Sequence, residues 1–399
     1  MYILQQTLFS FEELMELELK ERLHLFFSNL SLEPYTVKLR SRLPQGAKGF
    51  RRDAILRALL AAPLVGISTF TGLVDRLKSD IRFRYQCGFG VGSVPSIATF
   101  SRVFQKITTL NLAEELFLAL VKECREKGVI SGEVIAIDST AINAYEQKQA
   151  RHKSKNTGNG DWGAKKDSFG NTVTWFGYKL HLAVDTESEL PIAFEVTPAN
   201  VNDGDLGPVL IEKVSSSVPE NEKPKFYVMD AGYDQLKNYE AAHKNSAQAI
   251  IPLNLRNEKE PPAGMTSNGT PVCSMGYEMV YWGADKNILK FRCPHILGKV
   301  DCPFGSAWCS ASNYGLVKKV NIKEDLRRYS SPHRNTRKWE ELYDQRTAVE
   351  RVNSRLKVHL TANRLHVWGI KKVKTHLLLN MIVLLVGALA CKQSLQKAA

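Results

Sequence analysis

The spacing of hydrophobic and polar positions changes once along the chain, near residue 132. Before it, apolar residues recur at helical spacing in short amphipathic segments that carry basic residues, notably 51–66, 71–80 and 95–107. Short helices with polar outer faces are typical of a small helical domain. The pattern therefore predicts an N-terminal all-helical domain over residues 1–132. Ser10 with Glu13, and Asn111 with Glu114, have the spacing of helix-capping boxes.

From Glu133 the runs become short, apolar and rich in β-branched and aromatic residues, as in strands. They lie at 133–138, 175–186, 189–197, 225–230 and 247–254. Helical segments separate the last three. The first three strands are expected to form an antiparallel meander, and the later strands return through helices and so run parallel to the first. This order predicts an α/β fold, a ribonuclease-H-like mixed sheet flanked by helices.

Residues 255–334 interrupt the pattern, because Gly, Pro, Asn and Cys dominate them. We interpret them as an inserted loop/β region. Residues 133–254 and 335–399 then form the α/β domain. Its apolar run from Leu377 to Cys391 is short for a bilayer and is broken by polar or small residues. A buried core helix is the preferred interpretation, and no membrane association is expected.

The charge balance is the one unusual feature of the composition. Lys and Arg total 54 against 41 Asp and Glu, a formal net charge of +13 with a pI near 9.3. A strongly basic soluble protein commonly binds a polyanion, and the alternative explanation is an ordinary basic surface. The N-terminal segment lacks the features of a signal peptide, so a cytoplasmic location is expected.

The helix from about Ser96 to Ile107 is the best candidate for a DNA-recognition helix. Arg102 and Lys106 would face DNA in a helix-turn-helix arrangement. An ordinary small helical domain explains the pattern equally well.

Two acidic residues follow predicted strands. Asp138 ends the first strand and Asp230 ends the fourth. If those strands are parallel neighbours, about 4.8 Å apart, both carboxylates emerge at one edge of the sheet. Either residue alone would be better explained as a turn former or helix cap. Two in this order favour a shared cation site.

A third acidic residue lies in a predicted C-terminal helix. At about 100° per residue, one side of that helix carries four polar side chains. These are Tyr343, Arg346, Glu350 and Lys357, and a separate apolar stripe comprises Leu342, Val349, Val352 and Leu356. The alternative is a solvated charged face on which Glu350 pairs with a neighbouring arginine.

The spacing Tyr-x2-Arg-x3-Glu-x6-Lys resembles the signature of a large branch of bacterial insertion-sequence DDE transposases. The segments IAIDST, GYKLH, PANVND and MDAGYD, at 135–140, 177–181, 198–203 and 229–234, are also similar to that family. The resemblance implies that Asp138, Asp230 and Glu350 are the DDE metal ligands. It implies DNA contacts by Tyr343, Arg346 and Lys357.

The same resemblance implies chemistry and partners. Hard oxygen ligands suit two Mg²⁺ or Mn²⁺ ions, which clamp the attacking and leaving oxygens of a phosphodiester. The expected reactions are hydrolysis at the transposon ends and strand transfer of the 3′-hydroxyl into target DNA. The expected partners are double-stranded DNA, as terminal inverted repeats and target, and a second copy in a homodimer on DNA. A related nuclease without strand transfer, and a catalytically inactive transposase-derived DNA-binding protein, are the alternatives.

Other candidates have ordinary explanations beside the functional ones. Structural zinc or unligated thiols would both account for Cys273, Cys293, Cys302 and Cys309 with His295 nearby, because paired CxxC spacing is missing. His181, with Asp185, is favoured as a satisfied strand histidine over a catalytic one. The basic stretch 148–166 is interpreted as a loop that either tracks DNA or is simply solvated. The tryptophans at 162, 175 and 339 are more typical of core than of base stacking.

Overall fold

The computed structural model describes residues 15, 18–40, 49–146, 160–166, 169–255, 260–305 and 308–398. The chain divides into two compact units, one of Met1–Gly132, Ser139–Val201 and Ala348–Ala399, the other of Glu133–Asp138 and Asn202–Thr347.

The N-terminal region is helical, as predicted. Its helices are α1 (Leu19–Ser28), α2 (Glu33–Leu39), α3 (Arg52–Leu64), α4 (Phe70–Ser79), α5 (Ile81–Gln86), α6 (Ile97–Thr109) and α7 (Leu112–Glu126). Side-chain caps explain several sharp starts: Thr69, Asp80 and Ser96 each accept a hydrogen bond from the backbone N–H three residues later. The apolar face of each amphipathic helix is buried.

The predicted capping box at Asn111 is wrong. Asn111 has a left-handed backbone with φ 52° and makes no side-chain cap bond. Glu114 instead forms an ion pair with Lys374 at 3.0 Å. The left-handed turn brings α7 directly after α6, so the asparagine serves a tight turn and not a cap. Ser10 and Glu13 lie outside the described residues.

The main sheet has six strands in the described chain. They are β1 (Val134–Asn143), β2 (Asp161–Lys166), β3 (Thr172–Asp185), β4 (Leu190–Pro198), β5 (Phe226–Met229) and β6 (Gln248–Ile250). The order is β2-β3-β1-β5-β6, with β4 also paired to β3. β3 and β4 form the predicted antiparallel hairpin, and β1, β5 and β6 run parallel, as predicted.

Two details of the sheet differ from the sequence prediction. β1 continues to Asn143 and does not end at Asp138. Residues Asp161–Lys166 form an edge strand, β2, where a loop was expected. Gly163 lies opposite Trp175, and a Cβ on Gly163 would lie 2.5 Å from the Trp175 ring. Cross-strand packing of this kind is invisible to local propensity, so the loop-like composition was misleading.

Helices α8 (Gly207–Ser216) and α9 (Leu236–Lys244) connect β4, β5 and β6. α9 packs on α8 and β6. Short helices α10 (Arg337–Asp344) and α11 (Thr347–Ser354) follow the insertion, then a π-helical turn at Arg355–His359. α10 packs on β5 and β6, where Trp339 and Leu342 join Val228 and Ile250 in one apolar cluster.

The last helix, α12 (Ile370–Ala398), has 29 residues and contains the long apolar run. It is long and apolar enough to span a membrane, but 94% of its most apolar window is buried inside the protein. It packs on α3, α7 and β4. These contacts explain its hydrophobicity as that of a core helix.

The region 260–334 contains a small sheet, as a loop/β region would. Antiparallel strands β7 (Val280–Asp285), β8 (Ile288–Arg292) and β9 (Val317–Asn321) pair in that order. One face covers a local core. Its buried members are Met279, Leu289, Phe291, Ile322 and Tyr329.

Candidate functional site

Asp138 and Asp230 occupy neighbouring positions of the sheet. β1 and β5 are parallel, and Ile137 is the register partner of Met229. Asp138 is the next residue within β1, and Asp230 directly follows the end of β5. Neighbouring strands lie about 4.8 Å apart, so the two acidic positions share one point of the sheet. Both side chains are half-buried.

Asp230 also begins the turn that follows β5. Its Oδ1 accepts a hydrogen bond from the Gly232 N–H at 2.8 Å. Burial raises the pKa of Asp230, and the negative charge of Asp203 adds to that increase. The Gly232 N–H and the positive charge of Arg346 oppose it. The ionised form of Asp230 is therefore disfavoured by burial and by Asp203, and favoured by Arg346.

Sequence reasoning did not single out Asp203 as a site residue. It lies in a short 3₁₀ turn whose start is capped by Asn202, which accepts from the Gly204 N–H at 3.0 Å. The signal was present, because Asp203 ends the PANVND segment. That segment contributes an acidic residue to the surroundings of Asp230.

Tyr343 lies on α10, and Arg346 follows the end of that helix, where its positive charge acts on Asp230. The Tyr343 ring stacks on Trp339, with ring centroids 5.1 Å apart and planes 16° apart. The Arg346 guanidinium lies 5.7 Å from the Tyr343 ring centroid. Trp339 is buried and packs in the core, as expected from the sequence. Tyr343 thus joins the core to the arginine that faces Asp230.

The expectation of one continuous helix through Tyr343, Arg346, Glu350 and Lys357 is wrong. α10 ends at Asp344, α11 begins at Thr347, and Lys357 lies in the π-helical turn. At the junction, the N–H groups of Gln345 and Arg346 bond to carbonyls three residues back. Such 3₁₀ bonds and the following π turn change the angular step per residue. The uniform 100° spacing therefore does not apply, although the predicted apolar stripe is buried throughout.

Glu350 is exposed on α11, and Lys357 is half-buried. The arginines that follow Glu350 contact another acid. Arg351 Nε and Arg355 Nη1 donate to the two oxygens of Glu189, at 2.6 and 2.5 Å. Glu189 is 3% exposed and sits in the β3–β4 turn with φ 53°. This clamp was missed, because no local pattern links residues that are 162 positions apart.

The N-terminal candidates differ in how their side chains are engaged. Arg102 is exposed on α6, and its Nε donates to the Ala98 carbonyl at 3.2 Å. Lys106 donates to the carbonyls of Leu39 and Arg40, both at 3.1 Å. Lys106 therefore caps the end of α2, which gives it a structural role.

The cysteines do not form the cluster that zinc would require. No group of three or more His, Cys, Asp or Glu side chains suited to a metal occurs in the described ranges. Cys293 is buried, and Cys273 packs against the local core of the 260–334 region. His295 accepts a hydrogen bond from the Cys302 N–H at 3.2 Å. The structure gives the zinc interpretation no support.

The remaining candidates have structural roles. His181 is buried, and its Nε2 lies 2.8 Å from Thr197 Oγ1 across the hairpin. Asp185 accepts bonds from the N–H groups of Gly132 and Ser188 at 2.8 and 2.9 Å. Trp175 is also buried. Of the basic stretch 148–166, residues 160–166 are within the described chain.

Comparison with known proteins assigns the family. Residues 131–386 match the Transposase DDE domain, and residues 10–106 match the Transposase domain (DUF772). The first match covers more than half of the chain, so this protein belongs to the Transposase DDE domain family. It is a transposase-type protein with a mixed α/β fold and a helical N-terminal region.

Other comparisons add little. No curated protein matches the chain. Among solved structures, the piggyBac transposase synaptic complex with hairpin DNA is 13% identical, with a TM-score of 0.41 over 94% of this chain and 75% of that one. A likeness this low carries no argument.

Proposed function

We propose that the protein is a metal-dependent DNA transposase with Asp138, Asp230 and Glu350 as its catalytic carboxylates. The observation that supports the proposal is the Ile137–Met229 register of the parallel strands β1 and β5, because Asp138 and Asp230 are the next residues along the chain. The assignment of Glu350 rests on the resemblance of its sequence segment to the family signature.

The chemistry of the candidate carboxylates suits a divalent cation, although the described residues assemble no group of three or more side chains that could hold one. Carboxylate oxygens are the hard ligands that Mg²⁺ and Mn²⁺ prefer. Asp230 is partly buried and close enough to Asp203 for that charge to raise its pKa. A bound cation would remove this cost, because it favours the ionised form of both acids. Two such ions would supply Lewis acidity to the phosphodiester and lower the pKa of the attacking water.

The basic and aromatic residues would then orient DNA. Arg346, which faces Asp230, would hold a phosphate near the carboxylates, and Lys357 would hold another. Tyr343 would fix the Arg346 guanidinium through its ring. These contacts position the backbone without reading its sequence. The same carboxylates would serve end hydrolysis and strand transfer, since both are displacements at phosphorus.

The decisive test uses a labelled duplex that carries the element's end, with Mg²⁺ or Mn²⁺. Wild-type protein should nick it, and Glu350→Gln should not. Glu341→Gln is the matched control, since Glu341 is exposed and pairs with Arg337 on α10. Equal cleavage by wild type and Glu350→Gln would remove Glu350 from the assignment.

Pre-cut ends separate transposase from nuclease. Joining of a free 3′-hydroxyl to a plasmid supports a transposase, and cleavage without joining supports the nuclease alternative. Binding without either reaction supports an inactive DNA-binding protein. A homodimer on DNA and a cytoplasmic location stay predictions; light scattering of the end-bound complex tests the first.

The metal has an independent readout. We expect isothermal titration with Mg²⁺ alone to show weak binding, because DNA phosphate is needed to complete the coordination. Tight binding without DNA would contradict this expectation. Loss of the weak binding signal in Asp230→Asn, and its retention in the Asp205→Asn control, would assign Mg²⁺ binding to the site that contains Asp138 and Asp230.

A further inference from the structure

A cleft of about 640 Å³ lies where α6, α7 and α12 meet, and neither Asp138 nor Asp230 lines it. Its walls come from the end of α6, the start of α7 and residues 368–375. All of these residues belong to the same compact unit. The volume falls in the range of about 300–1,000 Å³ that small-molecule-sized ligands occupy.

The charges that line the cleft are mainly positive. Three lysines contribute, Lys371, Lys372 and Lys374, against the single acid Glu114. Glu114 is occupied by Lys374, at 3.0 Å. Neither Lys371 nor Lys372 forms an ion pair with a carboxylate in the described part of the chain. Two uncompensated ammonium groups on a concave wall concentrate positive potential there.

An exposed tryptophan stands at the same cleft. Trp368 is 61% exposed, although large apolar side chains are usually covered. The Lys372 ammonium lies 5.6 Å from its ring centroid. The ring thus holds one lysine in place at the cleft and offers an aromatic surface beside it.

The chain segment around these lysines contains no acidic residue. From residue 351 to the end of the given sequence there is no Asp or Glu. Acids from elsewhere in the fold pair with part of the segment, since Glu189 binds Arg351 and Arg355. Of the lysines that line the cleft, Lys374 pairs with Glu114, which leaves Lys371 and Lys372 as the charges that favour an anionic partner.

We propose that this cleft is a second DNA-binding site, which holds backbone phosphates with Lys371 and Lys372 beside Trp368. The site lies outside the residues assigned to catalysis and contacts the backbone without sequence preference. It deepens the proposed function and rests on it, since it supposes that DNA is the partner. The DNA could be either the element's end or the target, because both present the same phosphates.

The test compares Lys371→Gln/Lys372→Gln with a control that removes the same charge elsewhere. Lys122→Gln/Lys127→Gln suits this purpose, because both control lysines lie at the far end of α7 in ion pairs with Glu126 and Glu123. Affinity is measured against salt concentration for an end-bearing duplex and for an unrelated duplex. Unchanged thermal unfolding confirms that each variant is folded.

Each lost phosphate contact lowers the slope of log affinity against log salt by about one. We expect the cleft variant to lose about two from this slope and the control to lose nothing. A loss with the end-bearing duplex alone assigns the cleft to the element's end, and a loss with both duplexes assigns it to general backbone binding. A loss with the unrelated duplex alone assigns it to target DNA. Slopes equal to wild type with both duplexes would overturn the proposal.

Failure here is distinguishable from failure of the proposed function. Cleavage by the Lys122→Gln/Lys127→Gln control should match wild type, since neither lysine belongs to the catalytic groups or to the cleft. If the Glu350→Gln variant cleaves DNA, the catalytic assignment is refuted. The slopes of log affinity against log salt would still report whether the cleft binds DNA.

Discussion

Two aspartates in one short segment, Asp230 and Asp234, differ in burial and in the number of groups that donate hydrogen bonds to them. Asp234 has a side chain with no exposed surface. It accepts from Arg327 at 2.9 and 2.6 Å, from the Tyr239 hydroxyl at 2.8 Å and from the Asn254 N–H at 2.6 Å. The Asp230 side chain accepts from the Gly232 N–H, remains half-buried, and lies within the influence of the Arg346 and Asp203 charges.

The comparison separates a structural acid from a candidate catalytic one. A buried carboxylate that serves stability is saturated with donors, which offset the cost of its desolvation. Buried Arg334 extends that network, because it donates to the Tyr239 hydroxyl and to the Arg327 carbonyl. A carboxylate that must bind a cation keeps oxygen lone pairs free of hydrogen-bond donors. Its raised pKa reflects the free-energy cost of holding the ionised form in a partly buried place.

The largest effect on the cleavage rate should come from substitution of Asp138 or Asp230. Asp138→Asn and Asp230→Asn should each lower the cleavage rate about a thousandfold or more, since metal-assisted charge stabilisation contributes several kcal/mol. The matched control is Asp205→Asn, an exposed acid that pairs with Lys237. Single-turnover cleavage measures the rates. Wild-type rates in either variant would break the distinction drawn between Asp230 and Asp234.

Stability should respond in the opposite order. Burial raises the pKa of Asp230 above its unfolded value. Ionised Asp230 therefore destabilises the fold at neutral pH, and this cost disappears as pH falls through the folded pKa. The unfolding free energy of Asp230→Asn at neutral pH should equal or exceed that of wild type. A loss of stability in urea titrations would contradict this sign.

Asp234→Asn should destabilise the protein by about 3–5 kcal/mol, because it removes the fully buried anion to which Arg327, the Tyr239 hydroxyl and the Asn254 N–H all donate. Urea or thermal unfolding measures the loss, again beside Asp205→Asn. Cleavage per folded molecule should survive at low temperature. If stability is unchanged, the Asp234 network contributes less than its geometry indicates.

A smaller effect should sharpen the role of Arg346. Its charge lowers the pKa of Asp230. Arg346→Gln should therefore raise that pKa and move the acidic limb of the pH–rate profile to higher pH. Loss of a charged phosphate contact should also slow cleavage about ten- to a hundredfold. Arg346→Lys should restore the limb but not the full rate, and an unmoved limb would separate Arg346 from Asp230.

Much of the fold was predictable because its signals are local. The alternation of β3 and β4, the apolar run of β5 and the buried stripe of α11 each follow from side-chain period. The parallel pairing of β1 and β5 followed from the helical connection between later strands. β2 was not predictable, since Gly163 is explained only by the Trp175 ring opposite it.

Sequence by itself determined the family resemblance, the position of Asp230 directly after β5, and the basic character of the chain. Only tertiary structure decided which charges meet. In the folded protein, the charges of Asp203 and Arg346 act on Asp230, and Arg351 and Arg355 form ion pairs with Glu189. Lys106 donates hydrogen bonds to the end of α2. The expected single helix is interrupted between α10 and α11. The physical reason is distance: periodicity describes neighbours a few residues apart, whereas electrostatic pairing depends on separations in space that packing alone sets.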